Sequence, residues 1–195
     1  MSDKWWDEQF ELQGESATFW WLQARRLKRG ADLNWEAFEK ELIHFKSDPD
    51  GFLEKEKESG TINVDFELNR VYYFLLGLAV ETLAKGILVG RNPKYFSENR
   101  NMTHEIQDYV AECGVDFDDK KKKLLEELSI IVKWKGRYPT PKKPKDWTLR
   151  EGPYGANSMP GTISPDDKQE LEEIYSALNS TLCRENAERV STQDT

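Results

Sequence analysis

Apolar positions along this chain recur at helical spacing, and the longest such stretch, Asn63 to Gly90 (NVDFELNRVYYFLLGLAVETLAKGILVG), predicts a central helix. Leu68, Val71, Tyr72, Leu75, Leu76, Ala79, Leu83 and Ile87 follow the i, i+3, i+4, i+7 rule and form one wide apolar stripe. Asn63 or Asp65 caps the start, Asp65 and Glu67 complement the positive end of the dipole, and Gly90 followed by Pro93 supplies the stop. Gly77 and Gly86 each cost roughly 1 kcal/mol against alanine in a helix interior, so a neighbouring helix is expected to come close at both. No charge interrupts Val71 to Val80, but Glu81 and Lys85 follow at once and a bilayer span needs about 20 apolar residues. The helix therefore reads as buried in protein, with no membrane role.

Ahead of it, Ala17, Trp20, Ala24, Leu27 and Ala31 place one helix from Ser16 onward. Trp35, Phe38, Leu42 and Phe45 place a second, shorter one from about Asn34 to Lys46, closed by a Ser-Asp-Pro-Asp-Gly turn. The charged stretch FLEKEKESG reads as a solvated linker. Downstream, a short helix begins near a Thr103 cap and ends at Gly114, and another spans roughly Asp118 to Lys135 with Leu124, Leu125, Leu128, Ile131 and Val132 inward. Its run Lys120 to Lys123 reads as a solvated charged end in preference to a nucleic-acid patch.

Five prolines and three glycines between Gly136 and Ile163 exclude a regular element there, leaving a long loop. Pro165 behind Ser164 opens the last helix, which buries Leu171, Ile174, Tyr175, Leu178 and Leu182. The elements thus predict an all-α chain with one domain over 1–183. That domain includes an N-terminal helical extension (1–60) and a Pro/Gly-rich loop (136–163), and a flexible tail (184–195) follows it.

Composition narrows the picture. A chain of 195 residues, 37% apolar and 33% charged, fits one core under a charge-rich surface. A net charge of -8 argues against sequence-blind adhesion to nucleic acid, while leaving room for a local basic site. Cys113 and Cys183 lie far apart with no metal-type spacing, so neither a disulfide framework nor a zinc knuckle is indicated and the cytosol is the default. The start, MSDKWWDEQFELQG, carries acids and tryptophans where an export signal would be basic and then apolar, so a cytoplasmic location is expected.

Only two histidines are present. His44 reads as a histidine at a helix C-terminus. His104 reads as part of the first turn of its short helix, directly after a loop holding Arg100 and Asn101, where an imidazole, a guanidinium and an amide converge. The plainer alternative is a capping or packing role. Around WKGRYPTPKKPK (134–145), Lys133, Lys135, Arg137, Lys142, Lys143 and Lys145 concentrate positive charge beside Trp134, Tyr138 and Trp147, a combination suited to single-stranded nucleic acid. Tyr138 and Pro139 could instead simply end the helix, with Arg137 paired to an acid such as Glu81. Glu81 and Lys85 stand four apart, a spacing that commonly means a weak surface pair. No nucleophile elbow, P-loop, dinucleotide fingerprint, zinc-protease or kinase signature is present, and no cofactor or metal is implied.

Taken together, FLLGLAVETLAKGILVGRNP, THEI and LLEELSIIVKWKGRYP resemble the HEPN family, over about residues 72–139 and closest to its Arg-Tyr-Pro subgroup. The resemblance implies an antiparallel up-and-down bundle of four to six helices that commonly dimerises. It also implies a partner protein of nucleotidyltransferase type and a prokaryotic defence or toxin-antitoxin setting. Many relatives are metal-independent endoribonucleases with an Arg, four to six residues, then a His. Here Arg100 and His104 have only three residues between them. In the catalytic version His104 would be the general base on an RNA 2′-hydroxyl and Arg100 would stabilise phosphate charge. The Arg-Tyr-Pro subgroup often lacks that motif. The leading expectation is accordingly a dimeric HEPN-like module that binds RNA, a nucleotide or a partner protein without robust catalysis. Its binding residues would be Asn101, Lys135, Arg137, Tyr138, Glu81 and Lys85. The alternatives are a ribonuclease using His104 and Arg100, and a scaffold whose tryptophan-rich N-terminus holds a protein partner.

Overall fold

The central helix runs Leu68–Arg91 (α3), and the rest of the chain is arranged on it. The computed structural model describes residues 12–59, 68–98, 103–135, 150–153, 155–158 and 160–193. In chain order these form α1 (Ala17–Ser47), α2 (Pro49–Ser59), α3, the single turn α4 (Tyr95–Glu98), α5 (Ile106–Glu112) and α6 (Asp119–Ile130). A π-helical turn, Ile131–Lys135, extends α6. A 3-10 turn, Pro165–Asp167, leads into α7 (Lys168–Gln193). The architecture is all-α. These seven α-helices of the described residues, with a helical turn at 12–14 ahead of them, are more than the four to six expected, because short pieces (α2, α4, α5) flank the long ones.

Tyr72, Leu76, Ala79, Leu83 and Ile87 of the expected stripe have no exposed surface, while Val71 at its edge is 40% exposed. By length and composition α3 could cross a membrane, but 72% of its most apolar window is buried within the protein. Two long helices lie along it. Trp35 packs on Tyr72 and Trp20 lies against Gly86, so α1 runs antiparallel to α3. Tyr72 donates to Glu172 and Gly86 lies beside Leu182, so α7 runs parallel to α3. A Cβ on Gly86 would sit 2.9 Å from Trp20 Cβ, and one on Gly77 would sit 2.7 Å from Val132 Cγ2. Both glycines are therefore points of close helix approach, as their cost in an isolated helix suggested.

Several expectations need correction. The two N-terminal helices are one continuous α1 of 31 residues. The Gly30 to Asn34 stretch that read as a break is bridged by Asn34 Nδ2 donating to Gly30 O (2.7 Å) and by a Lys28–Asp32 pair. This helix is a full member of the core, with Ala24, Ala31 and Phe38 buried, so it is no extension. The turn that ends α1 also starts α2, since Asp48 Oδ1 accepts from Gly51 N and Pro49 fits a first helical position. The expected linker is thus helical. Arg150–Gly152 and Gly155–Ser158 form a two-stranded antiparallel hairpin inside the segment expected to be irregular. The expected tail from residue 184 is helical to Gln193, tied back where Arg91 grips both oxygens of Glu185 at 2.7 and 3.2 Å.

The lysine run is also more structured than a solvated end. Lys120 lies 2.7 Å from both Asp167 and Glu170, Lys121 bridges Asp118 and Glu173, and Lys122 meets Asp116. Hydrogen bonds donated to Asp167 and Glu170 raise the Lys120 ammonium above its usual range, and those accepted from Lys120 and Lys121 hold Glu170 and Glu173 below theirs. The run stitches the start of α6 to the start of α7. Inside the bundle, Glu172 accepts from Tyr72 and pairs with Lys28, which joins α1, α3 and α7 through one polar network.

Candidate functional site

A helix as apolar as α3 should not carry a carboxylate and an ammonium on its buried side unless each is compensated, because an isolated charge in the interior costs several kcal/mol. Glu81 and Lys85 are 4% and 7% exposed. Their spacing brings Lys85 Nζ to 2.5 Å from Glu81 Oε1, and the ammonium also lies 4.9 Å from the Tyr109 ring centre and 5.8 Å from that of Phe96. The expectation of a weak surface pair is therefore wrong. The same i, i+4 geometry is enclosed between aromatic faces that favour a cation.

The remaining capacity of Glu81 goes to His104. Its Nδ1 lies 3.0 and 3.1 Å from the two carboxylate oxygens. A carboxylate only accepts, so in the neutral ring Nδ1 carries the proton and donates, leaving Nε2 with its lone pair. No described residue hydrogen-bonds Nε2, and the side chain is 48% exposed. The result is a chain of contacts, Lys85 to Glu81 to His104, that begins in the core and ends at the surface with a nitrogen able to accept or deliver a proton. Orientation of an imidazole by a carboxylate is the usual way to fix a working tautomer.

The backbone that carries His104 is held from three sides. Helix α5 begins at Ile106, so His104 stands in the irregular segment two residues ahead of it and not in the expected first turn. Thr103 N donates to Tyr109 Oη, which donates back to Thr103 O. Ser129 of α6 caps α5 from outside, its hydroxyl accepting from Ile106 N at 2.9 Å while it also contacts Gln107 and Leu125 O. Glu105, next to His104, pairs with Lys133 of the π-helical turn. Partial burial pushes the Glu105 carboxyl up, but hydrogen bonds from Lys133 and Gln107 and the charges of Lys133 and His104 outweigh it and hold it below its usual value.

Of the residues that the sequence singled out, His104, Glu81 and Lys85 come together. Lys135 lies in the π-helical turn. Arg100, Asn101, Arg137 and Tyr138 lie outside the described residues. Ser129, Tyr109, Glu105 and Lys133 complete the site without having been chosen as site residues. Lys133 stood among the cations around the basic stretch, while the other three carried only helix-forming signals. Among the described residues no three His, Cys, Asp or Glu side chains converge as a metal site. His44 stacks edge-on to Phe52 near the end of α1, away from this cluster.

Comparison with known proteins finds no matching family model, no matching curated protein and no matching solved structure.

Proposed function

We propose that this chain is a HEPN-like helical module that binds RNA or a nucleotide through a phosphate presented to His104. The observation that carries the reading is the half-exposed imidazole whose Nδ1 is held by the buried Glu81 carboxylate. With Nδ1 so held, Nε2 is the position left for a ligand, and a phosphate, whose oxygens accept, is met by the protonated ring with Nε2–H donating. Holding the site on α3 and on the cross-capped start of α5 gives it the rigidity that recognition requires. Around it Lys85 and Lys133 are each matched by a carboxylate, Glu81 and Glu105, so a ligand phosphate would be met by the protonated His104 ring and by a lysine drawn from its carboxylate, in a chain whose net acidity disfavours indiscriminate adhesion.

The same observation favours a second reading, metal-independent RNA cleavage. A histidine oriented by a carboxylate can take the proton of a 2′-hydroxyl, and the attack of that oxygen on the adjacent phosphorus expels the 5′-oxygen to leave a 2′,3′-cyclic phosphate. Partnership with a second copy belongs to the proposal as well. Phe19, Leu22 and Leu33 share one side of α1 and are 43, 36 and 49% exposed, with the exposed Arg26 and Arg29 between them, and a symmetric dimer would cover this mixed apolar and basic side.

The test is fluorescence-anisotropy binding of a labelled single-stranded oligoribonucleotide in EDTA, with light scattering on the same samples and analysis of the RNA ends. Wild type is expected to bind as a dimer. His104→Ala should weaken binding about tenfold or more while keeping the wild-type melting curve, since its ring is half outside the core. Cyclic phosphate ends that vanish with His104 would select the ribonuclease. An unchanged affinity in His104→Ala would remove the site from the function.

A further inference from the structure

Helix α6 does not end as an α-helix. It passes into a π-helical turn over Ile131–Lys135, whose wider winding offsets the side chains that follow, and turns of this kind recur at functional sites. The turn carries Lys133 to Glu105, the residue directly after His104. Both partners are about one third exposed, at 33 and 34%. An ion pair so open to water is worth little to stability, on the order of 1 kcal/mol or less. A stability role alone gives no account of why an irregular turn should deliver a lysine there.

We infer that Lys133 is a second phosphate contact of the His104 site, and that Glu105 holds its place until a ligand phosphate displaces it. The inference rests on the phosphate-binding reading above and names the cation that reading needs. Glu105 follows His104 directly in the chain and its carboxyl feels the charge of the imidazole, so a lysine that reaches Glu105 lies in the neighbourhood of the ring. A phosphate that accepts from the Nε2–H of the protonated ring would offer its other oxygens to the same ammonium. In the structure the Glu105 carboxylate supplies that negative charge. Binding then exchanges one anion for another on Lys133, with Lys85 and Glu81 unmoved because both are enclosed by the core. Electrostatic linkage between the two sides of the pair is already visible, since the charge of His104 contributes to keeping Glu105 ionised.

The experiment is a salt titration of oligoribonucleotide binding by the full chain, for wild type, Lys133→Met, Lys133→Arg, Glu105→Gln and His104→Ala, with thermal melts as the folding control. Lys133→Met should weaken binding about tenfold and lower the slope of log affinity against log salt by about one, the signature of one lost phosphate contact. Lys133→Arg should keep the wild-type slope. Glu105→Gln, which removes the competing charge, should tighten binding about threefold. Weakening in both Lys133→Met and Glu105→Gln would mean that the pair is structural and would overturn the inference. Loss in His104→Ala with no change at Lys133 or Glu105 would overturn it too, while leaving the His104 site in place. Absence of binding by wild type would overturn both. Competition by unlabelled AMP as strong as that by RNA would assign the phosphate to a free nucleotide; competition by RNA alone would assign it to the polymer. Either keeps Lys133 as the contact.

Discussion

Glu81→Ala is expected to destabilise the protein by about 3–5 kcal/mol, the loss seen when one partner of a buried ion pair is removed and the other is left uncompensated. Lys85 would then hold an ammonium 7% exposed between Tyr109 and Phe96 with no carboxylate beside it, and His104 would lose the acceptor for Nδ1. For a domain of this size the loss corresponds to a fall in Tm of roughly 6–20 °C, read by circular dichroism. The double variant Glu81→Leu/Lys85→Met, which replaces both charges by apolar groups of similar volume, should recover most of it. A single-variant loss under about 1 kcal/mol would show that water reaches the pair and that it is the surface contact its spacing alone suggested.

Gly86→Val is expected to cost about 3 kcal/mol, the upper range for overpacking. Trp20 Cβ would meet the new Cβ at 2.9 Å and Leu182 Cδ2 would meet it at 3.3 Å. The methyl of Leu182 can swing aside. Trp20 Cβ is fixed to the backbone of α1, so α1 itself must move away from α3. Gly86→Ala should lose less, because the roughly 1 kcal/mol gained in helix propensity offsets part of the clash. Chemical denaturation of the two variants beside wild type measures both. Stabilisation of Gly86→Ala by the full propensity gain would mean that α1 and α3 lie further apart than described.

These two positions also mark what the sequence could and could not convey. Gly86 was legible because a glycine within a strong apolar period is costly unless something presses on it, so one residue announced a contact more than sixty positions away. Continuous α1 was not legible. Gly30 and Asn34 carry the local signals of a break, but Asn34 bridges back to Gly30 O and Leu75 of α3 packs 3.3 Å from where a Cβ on Gly30 would sit, and the helix runs through. For α2 the start signal Asp48-Pro49 was present, but eleven residues so charged gave no apolar period strong enough to assign a helix.

In the site, residue types were readable and partnerships were not. His104, Glu81 and Lys85 each drew notice, yet the sequence paired His104 with nearby Arg100 and offered Glu81 to Arg137. The actual partner of His104 is 23 positions earlier, on another helix. Short-range spacing finds i, i+4 pairs, but it cannot tell whether they are exposed, and burial changed the Glu81–Lys85 pair from a minor surface contact into the support of the site. Ser129 and Lys133 act from α6 and its π-helical turn. No period predicts such a turn, because it is a local departure from the period.

The most direct test of the central claim is the long-range proton–nitrogen NMR spectrum of the His104 ring, recorded under mildly alkaline conditions with and without oligoribonucleotide. With only two histidines in the chain, a His44→Ala sample assigns it. Expected is a free ring protonated on Nδ1, whose Nε2 resonance moves toward that of a protonated nitrogen as RNA is added. A free ring protonated on Nε2 in place of Nδ1, or an Nε2 resonance indifferent to saturating RNA, would contradict the claim.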